Sequence, residues 1–283
     1  MYTFKVQNSA GETLELTHNA AYGITNIDGL DPPDVVINTT HNVGYDGEEF
    51  NSAYIQPRQI TVTMAINSPA EGNRIRLYRY FRQKEAVRVF YKNGTRDVYI
   101  DGYVQSMQIA FFAKKQTAQI VIKCPHPPFN GTAVEEQQMY AVQSLFEFPF
   151  SIEVGDPIPF SEIITGQDKT IINAGDIDTG VEITIDAVGA VDTPKIYNVD
   201  TGEYMIFDLE METGDTITID TRRGQKSAYL IRNGVKQNIV GHLRFGSTWF
   251  RLRPGENMFT SDADESPENM MIIFRVINQY EGV

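Results

Sequence analysis

Cys124-Pro125-His126-Pro127-Pro128-Phe129 is the stretch on which the reading of this chain turns. Each proline lacks a backbone donor and fixes its own φ, so three in four positions cannot extend a sheet ladder, and a strand expected over 116–123 must stop there. Read as a hinge made by Cys124, Pro125, Pro127 and Pro128, it divides the 283 residues into 1–130 and 131–283. At roughly 150 residues per domain, two domains of ordinary size are expected.

The first part opens with Tyr2-Thr-Phe-Lys-Val and 13–17, alternating apolar and polar residues on either side of an Ala10-Gly11-Glu12 turn, which predicts a hairpin. Residues 38–54 are rich in Asn, Thr, Gly, Asp and Glu, and predict a loop longer than the usual ~4 to 6 residues, long enough to reach a neighbour. A half-buried strand with Ile60, Val62, Met64 and Ile66 on one face follows. Ser68-Pro69-Ala70-Glu71 has the residues of a capping box and starts the one helix expected, with Ile75, Tyr78 and Phe81 in register to hold it to the domain and Leu77 and Phe81 four apart. Its remaining surface carries Arg74, Arg76, Arg79, Arg82 and Lys84, either a solvated face or a contact with the acidic surface of a neighbouring subunit. Asn93-Gly94 marks a hairpin between 87–91 and 96–104, and strands at 106–113 and 116–123 meet at Lys114-Lys115.

Beyond the hinge every segment reads as strand: 145–154, 179–188, 195–199, 203–208, 216–220, 228–232, 235–240, 248–253 and 270–280, with turns at Asn233-Gly234 and Pro254-Gly255. The fold class expected is therefore mainly β, an N-terminal β-structure with one α-helix followed by a jelly-roll or galectin-like antiparallel sandwich.

Composition narrows the function. The net charge is −13, residues 1–130 holding 13 basic and 12 acidic side chains and the rest 11 and 25. That argues against a general affinity for the phosphate backbone, which requires a basic face. A single cysteine excludes an internal disulfide framework or a cysteine zinc site. No signal-like apolar core opens the chain and no run approaches the ~18 apolar residues of a membrane span, so a soluble protein is expected.

The search for chemistry finds no catalytic motif. His18, His41, His126 and His242 are isolated, no nucleophile elbow or phosphate loop occurs, and Asp176-Ile-Asp178 lacks the further acids of a calcium loop. Ser261-Asp-Ala-Asp-Glu265 reads as a solvated loop. No enzyme, cofactor or metal is expected. In 249–253, alternation puts Phe250 and Leu252 on one face and Trp249, Arg251 and Arg253 on the other, readable as a cation–π stripe, a contact with a partner protein, or a sugar platform.

In their order and spacing, Lys123-Cys-Pro-His-Pro-Pro-Phe129, Asn173-Ala-Gly-Asp176, Asn198-Val-Asp-Thr-Gly-Glu203, Gly214-Asp-Thr-Ile-Thr-Ile-Asp-Thr221 and Phe250-Arg-Leu-Arg-Pro-Gly-Glu-Asn257 make the chain resemble the distal tail proteins (Dit) of long-tailed bacteriophages, siphovirus tail components, over almost its whole length. His126 departs from the acidic residue expected in the first of these motifs. The resemblance implies a ring-forming first domain and a galectin-like second domain without a working sugar site. It further implies a hexameric hub at the distal end of the tail tube, which connects the tube to baseplate, tail-associated, fibre or receptor-binding proteins. DNA would pass through the central opening, and the protein would reside in the virion tail tip after assembly in the host cytoplasm. Two other classes stay open: a lectin-like module for host cell-surface glycans, and a glycoside hydrolase, which needs two carboxylates ~5 to 9 Å apart.

Overall fold

In the computed structural model, which describes residues 2–139, 141–144, 161–164 and 168–283, strands dominate and every ladder between them is antiparallel. Internal packing divides the chain into two compact units, Met1–Ala133 with Gln279–Val283, and Val134–Asn278. The first unit thus runs past the division expected at 130 and takes back the last residues of the chain.

The first unit contains β1 (Thr3–Gln7), β2 (Thr13–Glu15), β3 (Tyr22–Asp28), β4 (Val35–Thr40), β5 (Glu49–Ile55), β6 (Arg58–Ile66), α1 (Ala70–Tyr80), β7 (Ala86–Lys92), β8 (Asp97–Ile109), β9 (Thr117–Cys124) and β10 (Phe129–Gly131). Its main sheet has the order β2-β1-β7-β8-β9-β6-β3, and β10 lies against β8. Ile60, Val62, Met64 and Ile66 all point into the core, as the alternation of β6 predicts. The runs read as two strands at 96–104 and 106–113 are one strand, β8, whose register shifts between Val104 and Ser106. A bulge of this kind flips the alternation by one residue and so mimics a break in sequence.

Helix α1 departs from its expected capping. Pro69 is the N-cap, without a side-chain hydrogen bond, because Ser68 stands one position too early to reach the first free amides. The buried face is narrower than expected: Leu77 and, just beyond the helix, Phe81 are buried, whereas Ile75 and Tyr78 are exposed. At 100° per residue Ile75 lies nearly opposite Leu77, so the two cannot both face the core.

The second unit holds β11 (Glu135–Gln138), β12 (Ala141–Ser144), β13 (Ser161–Ile164), β14 (Lys169–Asn173), β15 (Val181–Ala187), β16 (Val191–Asp192), β17 (Lys195–Asn198), β18 (Tyr204–Ile206), β19 (Glu210–Met211), β20 (Thr216–Asp220), β21 (Ser227–Arg232), β22 (Val235–Asn238), β23 (Gly255–Asp262) and β24 (Met270–Val276); β25 (Gln279–Tyr280) belongs to the first. A six-stranded sheet, β11-β24-β15-β20-β21-β22, and a four-stranded one, β14-β23-β17-β18, enclose one apolar core. Phe259 of β23 meets Phe274 of β24 at 4.9 Å between ring centroids, joining the two layers of a β-sandwich. Asn233 and Gly234 both have positive φ, the geometry of the tight turn expected between β21 and β22. Residues 248–253 make only an isolated bridge, Leu252 with Thr179, instead of the expected strand. The strand expected at 145–154 lies outside the described residues.

Candidate partner-binding surfaces

Residues 38–54, expected as a long loop, form most of a hairpin, β4 and β5, which among the described residues pair only with each other. Polar side chains close it: Asn38 Nδ2 donates to Ser52 Oγ at 3.0 Å, and Thr39 donates to the Glu48 carboxylate. At its root Gln56 N donates to Asp34 O at 2.9 Å. Since neither face is buried on this chain, the arm lacks the alternation that reveals a half-buried strand. Apolar side chains are nevertheless concentrated on it, with Val43, Tyr45 and Phe50 97, 79 and 64% exposed. A lone hairpin is marginally stable in water, and grouped exposed apolar residues mark an interaction surface.

The four arginines of the helical region are not one outward-facing set. Arg74 lies over the Phe111 ring, 4.9 Å from guanidinium carbon to centroid, with Nη2 3.9 Å from Glu71 Oε1. Arg79 pairs with Glu12, and Arg82 Nη1 with Glu85 Oε1 at 3.5 Å. Arg76 is exposed, and no ion pair to it occurs among the described residues.

The proline run lies inside the first unit rather than between the two. Cys124 ends β9, fully buried, and burial pushes its thiol up to about 12. It packs where Gly102 leaves room: a Cβ on that glycine would stand 2.8 Å from Cys124 Sγ. Past Pro125, Pro127 and Pro128 the chain rejoins the sheet as β10, which pairs on its other edge with β25. The prolines interrupt one ladder, and the chain re-enters the same sheet beyond them.

An arginine that no sequence motif points to holds this closure. Arg58, 2% exposed, donates from Nε to Pro127 O and from Nη1 to Gly29 O, both at 2.7 Å, and also to the carbonyls of Asp31 and Glu281. Its guanidinium sits 4.4 Å from the centroid of Phe129. Burial pulls its pKa below the ordinary value, and the partners that satisfy it are backbone carbonyls of three separate segments. Gly29 has φ +87°, and a Cβ there would meet Gln59 O at 2.0 Å, so only glycine brings its carbonyl to Arg58.

In the second unit Phe250 and Leu252 are buried while Arg251 and Arg253 are exposed, as the alternation predicts. Trp249 is half-buried against the core, and the cation over its ring is Lys226 at 5.9 Å, not either arginine. Arg251 Nη2 donates instead to Asp178 O at 2.9 Å. The asparagines of the sequence motifs tie loops: Asn173 Nδ2 donates to Leu252 O and Ile177 O, Asn198 Oδ1 accepts from Asp200 N and Thr201 N, and Asn257 Nδ2 donates to Arg253 O. No group of three or more His, Cys, Asp or Glu able to hold a metal occurs among the described residues, and no described helix is long and apolar enough to cross a membrane.

Residues 174–276, which include Asn198 and Asn257, match the family model described as siphovirus-type tail component, C-terminal domain. The fold of the chain is similar to that of SPP1 Dit, described as a paradigm of hub adsorption apparatus in Gram-positive infecting phages: TM-score 0.70 and 12% identity, over 98% of either chain. It is also similar to chains of the phage P2 baseplate in its activated conformation, with calcium (TM-score 0.54, 11% identity, all of both chains) and with strontium (0.51, 10%, 98% of each). No curated protein matches the chain in sequence. Residues 174–276 are thus similar to the C-terminal domain of siphovirus-type tail components, and over nearly its whole length the chain shares the fold of SPP1 Dit.

Proposed function

We propose that the protein is the hub of a phage tail tip, a closed ring of six copies built through the first unit. The ring connects the tail tube to baseplate, fibre or receptor-binding proteins and acts without catalysis. The observation that carries this reading is the β4–β5 arm, a self-contained hairpin whose apolar side chains have no use within one chain. Likeness to a protein described as a hub adsorption apparatus supports the same role. The second unit serves in this reading as a galectin-like platform for those partners. A lectin-like role is less well supported, since the aromatic ring it would use packs on the core beside Lys226. Light scattering on the purified protein tests the ring: six 31.9-kDa chains give about 190 kDa, and a monomer at every concentration, also in micrographs of tail tips, would overturn it.

A further inference from the structure

The loop between β8 and β9 runs Ala110-Phe-Phe-Ala-Lys-Lys-Gln116, an unusual choice for a connection that ordinarily takes Gly, Asn or Asp. Phe112 is fully exposed and Phe111 about half. Lys114 and Lys115 are exposed, with no ion-pair partner among the described residues. Arg74 over the Phe111 ring joins the loop to the flank of α1, where Tyr78, four residues on, and Ile75 are exposed. An apolar surface with a basic rim results.

Polar groups at the root of this loop are also unmatched. Arg74 Nε and Gln116 Oε1 are buried without a hydrogen-bond partner among the described residues, a donor and an acceptor that both adjoin Phe111, whose carbonyl accepts from Gln116 Nε2 at 3.3 Å. Most buried polar atoms find a partner, so the seat of the loop in the isolated chain is incomplete.

The complement of this surface is on the same chain. Residues 35–55 carry no lysine or arginine, but hold Asp46, Glu48 and Glu49 beside Tyr45 and Phe50, all exposed. Strands of six and seven residues carry that tip roughly 20 Å from its root, enough to cross to another subunit. We propose that the acidic, apolar tip of the β4–β5 arm docks on the Phe111–Phe112 loop and α1 flank of a second copy, with Lys114 and Lys115 facing Asp46, Glu48 and Glu49. The proposal rests on the ring reading and specifies the contact that closes it. Nucleic acid fits the surface poorly, since two lysines neutralise about two phosphates on a chain of charge −13.

Charge exchange tests it. Lys114→Glu with Lys115→Glu should lower the oligomer's mass, as should Glu48→Lys with Glu49→Lys, each leaving the subunit folded by circular dichroism because the residues are exposed. All four changes together should restore assembly, a result that mere loss of solubility cannot produce. Phe112→Ser should weaken the oligomer at least tenfold in concentration, and raised salt should weaken it in the same direction. A wild-type ring that neither reversal affects, or one that both disrupt but the fourfold change fails to restore, overturns the docking while leaving the ring intact as a reading. A wild-type monomer overturns both.

Discussion

Arg58 shows how a single side chain determines where the first unit closes. It is a buried cation held by carbonyl dipoles, and it joins the 29–31 turn, the segment after the prolines and the end of the chain. Arg58→Met should cost roughly 3 to 5 kcal/mol, since several buried acceptors lose their donor at about 1 to 3 kcal/mol each, as read by chemical denaturation. Arg58→Lys should recover only part of this, because a compact ammonium cannot reach the carbonyls that the planar fork spans. Asp215 gives the second unit a pH dependence. Burial pushes its carboxyl up, but hydrogen bonds from Arg232 Nε at 3.0 Å and from Glu212 N at 2.8 Å, with the Arg232 charge, hold it below its usual value. A carboxylate depressed in the folded state stabilises fully above its unfolded value near 3.9, and the gain is lost as pH falls through the lower folded value. Denaturation of Asp215→Asn should therefore show its deficit at pH 7 and a shrinking one below about pH 4.

At the level of elements, the arm and the helix call for separate tests. Replacing 36–54 by a short glycine turn should leave the monomer's melting temperature within about 2 °C, since no core residue lies in the arm, while the mass in solution falls. In the helical region, Arg76→Glu leaves every ion pair among the described residues in place, whereas Arg79→Glu breaks the pair with Glu12; a mass change on Arg76 reversal alone would assign that arginine to an interface. What was legible in the sequence follows the same physics. Strands with one buried face, such as β6 and β20, are written as alternation, and the turn at Asn233-Gly234 as residues that accept positive φ; the turn at Asn93-Gly94 lies where expected but without positive φ, closed by Asn93 Oδ1, which accepts from Thr95 N and Arg96 N. The arm was hidden because neither of its faces is buried in one chain. Strand β23 was hidden because it turns Asn257 and Ser261 inward beside Phe259, so that polar residues occupy buried positions. Of the helical arginines, Arg79 meets Glu12, 67 residues away, a pair that sequence spacing does not disclose.

The whole chain is organised by a return. Strand β10 precedes the second unit, β25 follows it, and the two pair with Asn130 opposite Gln279; within the second unit Glu135 likewise stands opposite Val276. Each unit therefore has its own pair of neighbouring ends. Removing 134–278 and closing the gap with a short glycine turn should leave a first unit with one cooperative melting transition, and 134–278 alone should also fold. A fragment that stops at Ala133 should be less stable than the closed form, because it lacks β25 and leaves Arg58 without the Glu281 carbonyl. Insoluble products, or cleavage by protease within β10 rather than after it, would show that the units are not separable in this way. For inheritance, the paired ends make the second unit a cassette. Two recombination events, one near each end, would replace it with any domain whose termini lie a strand's width apart, and the sheet that receives it would keep its register, its core and its arginine clamp.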